Sequence, residues 1–163
     1  FRFVAPYQEE VDYQPERVIT RIYEGLRAFV GATSFEELCR RWVLEQSQAG
    51  HLPVTIREVG AHWSRAVQTD VVGMNWQDHH VLIGECKWGR DAVGREVVRD
   101  LVQHKGPQVV KHLPALGSGW KTHYVLFARA GCTPAARSEA QALGVQVTAA
   151  QLDADLRRGL ENR

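Results

Sequence analysis

Hydrophobic and polar positions change their period twice along this chain. Behind Pro15, the residues Val18, Ile22, Leu26 and Val30 recur at helical spacing, and Gly31 suits the stop, which predicts a first helix. Ser34 and Glu37 have the separation of a capping box, and Phe35, Leu38, Trp42 and Val43 supply the apolar face of a second helix. Gly50 and Pro53 break it. The period then drops to two: residues 54–59, 67–72 and 80–88 predict three strands, with the polar stretch 75–79 as a turn. Their short links predict an antiparallel meander. Val93, Val97, Leu101 and His104 return to helical spacing up to Lys105, where Gly106 and Pro107 are expected to end the helix. A loop over 111–120, a buried-type strand over 123–128, a helix over 134–143, a short strand over 145–147 and a terminal helix over 150–160 follow. This order predicts a three-layer α/β fold, a mixed central sheet flanked by helices on both faces. No internal repeat interrupts it.

Composition narrows the picture only slightly. A chain of 163 residues with 44% hydrophobic and 24% charged residues suits one domain with one core. The formal net charge of +1, from 20 basic and 19 acidic side chains, argues against a strong nonspecific nucleic-acid binder. It leaves room for a local basic groove. Cys39, Cys86 and Cys132 lie far apart without a C-x-x-C pair, as expected of a reduced, cytoplasmic protein. No apolar run reaches the roughly 20 residues of a membrane helix, and Arg2, Glu9, Glu10 and Asp12 interrupt any leader. Residues 1–14 mix aromatic and charged side chains and read as a connection from a missing upstream module, leaving 15–163 as the folded domain.

Candidate chemistry concentrates on the second and third predicted strands. Glu85 and Lys87 share a strand face with Val81 and Ile83, so that face is apolar at its start and ionic at its end. If these strands pair as a hairpin, Asp70 approaches Glu85. Two carboxylates repel unless a cation lies between them, and Mg²⁺ favours a few carboxylate oxygens plus waters. The backbone carbonyl of Cys86 is a further candidate ligand. Such a cation activates water and offsets charge on a phosphodiester, with Lys87 orienting the water or stabilising the developing charge. E-x-K on its own more often marks a solvated face with a weak ion pair. The apolar run, Gly84, the upstream aspartate strand and the downstream helix set this instance apart.

Val59-Gly60-x-x-Trp63, then Thr69-Asp70-Val71-Val72, then Gly84-Glu85-Cys86-Lys87-Trp88 resembles the signature of PD-(D/E)xK nucleases. More narrowly it resembles the C-terminal domain of a family of archaeal and bacterial AAA-type ATPases of undetermined role. The resemblance implies a restriction-endonuclease-like core of αβββαβ order and Mg²⁺- or Mn²⁺-dependent hydrolysis of phosphodiester bonds, with DNA the expected substrate. It also implies an upstream ATPase module, whose phosphate loop this chain lacks, and a homodimer such as related nucleases often form. Carried over by position, Asp70 and Glu85 are metal ligands and Lys87 is the catalytic lysine. Glu36, after Phe35, matches a helix glutamate, and an exposed charge at a helix start accounts for it equally well. Gln103 matches a glutamine on the later helix, and Gln68 stands where relatives often carry an acid. The alternative is a nuclease-fold module for nucleic-acid or protein interaction, with cleavage weak or lost. Trp63, Trp88 and Trp120 offer base stacking or simple packing. Arg40, Arg41, Lys105, Lys111 and Lys121 offer phosphate contacts or solvated charge, and the seven histidines read as scattered surface residues.

Overall fold

The computed structural model describes residues 13–29, 34–115 and 119–148, so residues 1–12 of the expected connection and the expected helix over 150–160 lie outside the described residues. Helices α1 (Pro15–Phe29) and α2 (Phe35–Gln48) precede strands β1 (Glu58–Trp63), β2 (Gln68–Asn75) and β3 (His80–Lys87). A long helical crossover follows: α3 (Arg95–Asp100), a π-helical segment (Leu101–Lys105) and α4 (Gly106–His112). Strand β4 (Lys121–Ala128), helix α5 (Pro134–Ala142) and strand β5 (Val145–Thr148) complete the order. The strands form one sheet in sequential order; β1, β2 and β3 are antiparallel, whereas β3, β4 and β5 are parallel. The expected meander and mixed three-layer α/β architecture are both present. Among the described residues no helix is long and apolar enough to cross a membrane.

Each sheet face has its own cover. Phe35, Cys39, Trp42 and Val43 of α2 pack on Val71, Leu82, Val125 and Phe127. On the other face Val98, Leu101, Val109, Ala136 and Ala140 pack on Val72, Val81, Ile83 and Leu126. Strands covered on both sides need apolar residues at consecutive positions, which is why residues 81–83 are all apolar and buried. Between the layers, Gly84 allows β3 to lie close to its neighbours. A Cβ there would come within 2.8 Å of Val125 Cγ1 and 3.0 Å of Val71 Cβ.

Four local expectations are corrected. The alternation over 54–59 is not strand pairing, since β1 begins only at Glu58. Leu52, Val54 and Ile56 alternate because they insert under α2, and Ser47 Oγ accepts the Ile56 N–H at 2.6 Å. Ser34 has helical backbone and makes no capping hydrogen bond, while Glu37 pairs with Arg40 instead. The buried face of α2 uses Cys39 in place of Leu38, which is exposed. Finally, the helix does not stop at Gly106 and Pro107. A π-turn shifts the register by widening the coil, and Pro107 enters the first turn of α4, where no N–H is required. Gly106 is buried against Tyr124, where a side chain would collide with the ring.

Candidate active site at a strand fork

The β2–β3 ladder runs from Asn75 opposite His80 to Val71 opposite Gly84. Beyond that pair, the strands follow different neighbours: Thr69 and Gln68 pair with β1, whereas residues 85–87 pair with β4. The opened ladder deprives the Cys86 N–H of a backbone acceptor on β2. Asp70 Oδ2 takes that role, accepting the bond at 2.8 Å. A carboxylate is thereby held at the fork by the backbone geometry itself.

Glu85 lies beside it and is buried, with only 5% of its surface exposed. A buried carboxylate requires partners. Lys87 Nζ donates to Oε1 and Lys105 Nζ donates to Oε2, each at 2.6 Å. Burial lowers the Lys87 pKa, but the hydrogen bond to Glu85 and the charges of Glu85, Asp70 and Asp100 outweigh it, so its pKa is raised. Lys87 therefore stands as an ammonium ion at neutral pH, suited to orienting or stabilising negative charge rather than to accepting a proton.

The Asp70 pKa is raised as well, which for a carboxylate favours the neutral form. Burial raises its pKa, opposed by the Cys86 N–H bond; the Glu85 charge raises it further while Lys105 and Lys87 lower it. Glu36 enters from α2. Its pKa is raised by burial and by Asp70, with Arg40 opposing and Glu85 adding to the rise. Three carboxylates thus feel one another across the fork. Arg40 links the same layers: Nη1 donates to the Asp70 carbonyl at 2.7 Å and lies 3.7 Å from Glu36 Oε2.

The expected triad of Asp70, Glu85 and Lys87 comes together, with Glu36 in its field and the Cys86 backbone at its centre. Gln103 does not join it, because it is exposed on the π-helical segment, and Lys105 of the same segment reaches Glu85 instead. Gln68 is exposed at the start of β2, bordering a recess with Lys105. Trp88 packs its ring 5.0 Å from Phe35, with the Arg129 guanidinium 4.4 Å above it, so it braces the α2 side of the fork. Lys105 and Arg40 are the residues that sequence reading left as solvated charges. A signal for Lys105 did exist: it continues the stripe Val98, Leu101 and Val109, three or four residues apart. The histidines are not scattered either. His80 Nδ1 and His123 Nε2 lie 2.8 Å apart with stacked rings, and His62 sits on His112.

For a hard divalent cation the donor chemistry fits: carboxylates of Asp70 and Glu85 with a backbone carbonyl at Cys86 match the one or two carboxylates, completed by water, that Mg²⁺ favours. Among the described residues no three His, Cys, Asp or Glu side chains are gathered closely enough to cage a metal. Both oxygens of Glu85 are held by ammonium groups.

Comparison with known proteins adds a family and two partial likenesses. An uncharacterized protein of Methanocaldococcus jannaschii, MJECL04, is 28% identical over 69 residues, covering 41% of this chain and 16% of that protein. The crystal structure of a repair endonuclease from Pyrococcus abyssi matches with a TM-score of 0.45 at 14% identity, over 70% of this chain and 46% of that one. The chain therefore spans about a sixth of the first relative and under half of the second. Residues 1–100 match the family DUF234, described as Archaea bacterial proteins of unknown function. With that match extending over more than half of its length, the chain belongs to the DUF234 family.

Proposed function

We propose that this domain is a Mg²⁺- or Mn²⁺-dependent nuclease that hydrolyses phosphodiester bonds, with DNA as its substrate. The observation that carries the reading is the fork itself: Asp70 fixed on the Cys86 N–H, beside a buried Glu85 held by Lys87 and Lys105. Asp70 and Glu85, with the Cys86 carbonyl, would hold the cation. When bound, it supplies a lowered water pKa and neutralises charge on the phosphate. The chain's own residues do the rest. Lys87 keeps its proton and orients the attacking water or faces the growing negative charge. Were a cation to take over that oxygen of Glu85, Lys105 would be free to pair with a phosphate oxygen. Arg40 holds α2 against β2 at Asp70, which keeps Glu36 in the field of the other two carboxylates, and Glu36 would become a further ligand only by moving closer. An upstream ATPase module and pairing of two copies belong to the same proposal.

A second reading has its own observation. Lysines engage both Glu85 oxygens, so the ionic cluster is already neutralised without a cation. A domain of this kind would serve as an interaction module with cleavage weak or lost. The two readings separate when the purified protein is incubated with Mn²⁺ and labelled DNA and RNA, with Asp70→Ala and Lys87→Ala in parallel. Cleavage abolished by both substitutions is the expected result. Cleavage surviving both would end the site assignment, and binding without any cleavage would favour the module.

A further inference from the structure

Among the described residues, Trp63 is the least covered large ring after Tyr13, with 77% of its surface exposed. The other tryptophans at the protein's rim are engaged. Trp76 lies edge-on to Trp120 at 5.2 Å and donates to Glu58, while Trp88 is sandwiched between Phe35 and Arg129. Among the described residues, the Trp63 indole has no hydrogen-bond partner and no ring contact. A bare indole at a solvent-exposed position gives up hydrophobic burial, which is uncommon for this residue type.

Its position is informative. Trp63 ends β1, directly opposite Gln68, two residues before Asp70. Gln68 lines a recess with Ala66, Val67, His104, Lys105 and Gln108, and Lys105 is the residue that grips Glu85. Recess and fork share Lys105, and Trp63 is the ladder partner of Gln68 on the rim of the recess. Nor is the ring on a slack loop. Ser64 accepts at Oγ from the N–H groups of Ala66 and Val67, and its own N–H donates to the Val67 carbonyl at 2.9 Å. The tight turn also presents Arg65, which is exposed at the hairpin tip.

We infer that Trp63 is a stacking platform for an unpaired base of the substrate, with the adjoining recess receiving the nucleotide and the following phosphate directed to the fork. This rests on the nuclease reading and names its substrate class: nucleic acid with a single-stranded stretch rather than continuous duplex. Bases inside a duplex have both faces covered by their neighbours and cannot lie on an indole; unpaired bases can. The charge distribution agrees. Asp100 borders the recess together with Lys105, so its lining is of mixed charge and counter-ion release there is small for either strand type. Stacking supplies affinity by a route that does not need a basic face.

The test is equilibrium binding of labelled single-stranded DNA, single-stranded RNA and duplex DNA to the full chain without divalent cation, for wild type, Trp63→Ala and Trp63→Phe. Metal-dependent cleavage is followed separately with Asp70→Asn. Trp63→Ala is expected to lose roughly 5- to 100-fold in single-strand affinity, with Trp63→Phe retaining most of it and duplex binding unchanged. The strand type that suffers the loss identifies deoxyribose or ribose as the sugar. Equal affinity of Trp63→Ala and wild type for both single strands overturns the platform, as does a loss shared equally with duplex. Loss of Trp63-dependent binding with cleavage intact leaves the nuclease standing without this seat. Trp63-dependent binding in a wild type that cuts nothing leaves the seat standing and removes the nuclease. The ring is exposed, so an unchanged melting temperature is expected for Trp63→Ala.

Discussion

The two ends of the β2–β3 ladder solve the same problem with different chemistry. At the turn end, Asn75 is fully buried and completely used: Nδ2 donates to the Thr55 carbonyl and to Asp78, and Oδ1 accepts from the N–H groups of Gln77 and Asp78. At the fork end, Asp70 satisfies one backbone N–H and Glu85 binds two ammonium groups. Both ends pair backbone groups that the sheet leaves over. A neutral amide does so without further consequence. Carboxylates do so at a cost, burial first and mutual repulsion second, as the raised pKa values of Asp70 and Glu36 record. A fold that needed only hydrogen bonds at the fork could have used a second asparagine. Charge kept at that cost is what the proposed chemistry would require, whereas the turn needs only hydrogen bonds.

Substitutions at the two ends should break this contrast in opposite ways. The largest effect is expected from Asp70→Asn, whose side-chain oxygen can still accept the Cys86 N–H. Cleavage should fall by more than roughly a hundredfold, because even residues outside a metal's first shell cost about 10- to 100-fold. Melting temperature should barely move, and an equal loss of both in a calorimetric scan and a cleavage assay would make Asp70 architectural. Next comes Asn75→Ala at the turn. Several buried groups lose their partner at about 1–3 kcal/mol each, so urea titration should show a loss of roughly 2–4 kcal/mol. The rate per folded molecule should stay as it was.

Lys105→Met sharpens the fork itself. Removing one ammonium from Glu85 should tighten Mn²⁺ binding about fivefold, from about 1 kcal/mol for a unit charge some 4 Å away in water. Cleavage should slow at the same time if Lys105 meets the phosphate. Titration calorimetry alongside a rate measurement reads both directions. The smallest effect belongs to the His80–His123 pair beside the turn. Burial, then the charges of His80 and Lys121, lowers the His123 pKa. The folded state therefore binds fewer protons than the unfolded chain below the usual histidine value near 6.5. Its stabilising contribution is complete above that value and is lost as pH falls through it. Melting temperature should decline from about pH 7 to 5 in wild type, and His123→Gln should flatten that slope.

How far the sequence could be read follows from the range of the forces involved. Helices and strands came from side-chain periodicity, which local burial imposes, so α2, β2, β3, β4 and α5 were predicted close to their observed bounds. Where the period came from burial without pairing, as at Val54 and Ile56, the reading misplaced a strand. The inward stripe of the crossover runs through Val98, Leu101 and Lys105 rather than Val97 and His104, a rotation of one residue that periodicity alone does not resolve, and Gln103 lies outside the site.

The sequence by itself determined that Asp70, Glu85 and Lys87 would lie on adjacent strands, because alternation along a strand and a short hairpin leave few other arrangements. It also determined the layer order and the two covered faces of the sheet. Tertiary structure alone decided that the ladder opens after Val71 and Gly84, which makes Asp70 an acceptor for the Cys86 N–H. It decided that Lys105 meets Glu85 and Arg40 meets the Asp70 carbonyl, and that the Trp63 ring is left bare. Those outcomes depend on groups distant along the chain meeting across a fork. Periodicity records which way a residue faces, whereas the partner waiting there is set by the packing of the whole sheet.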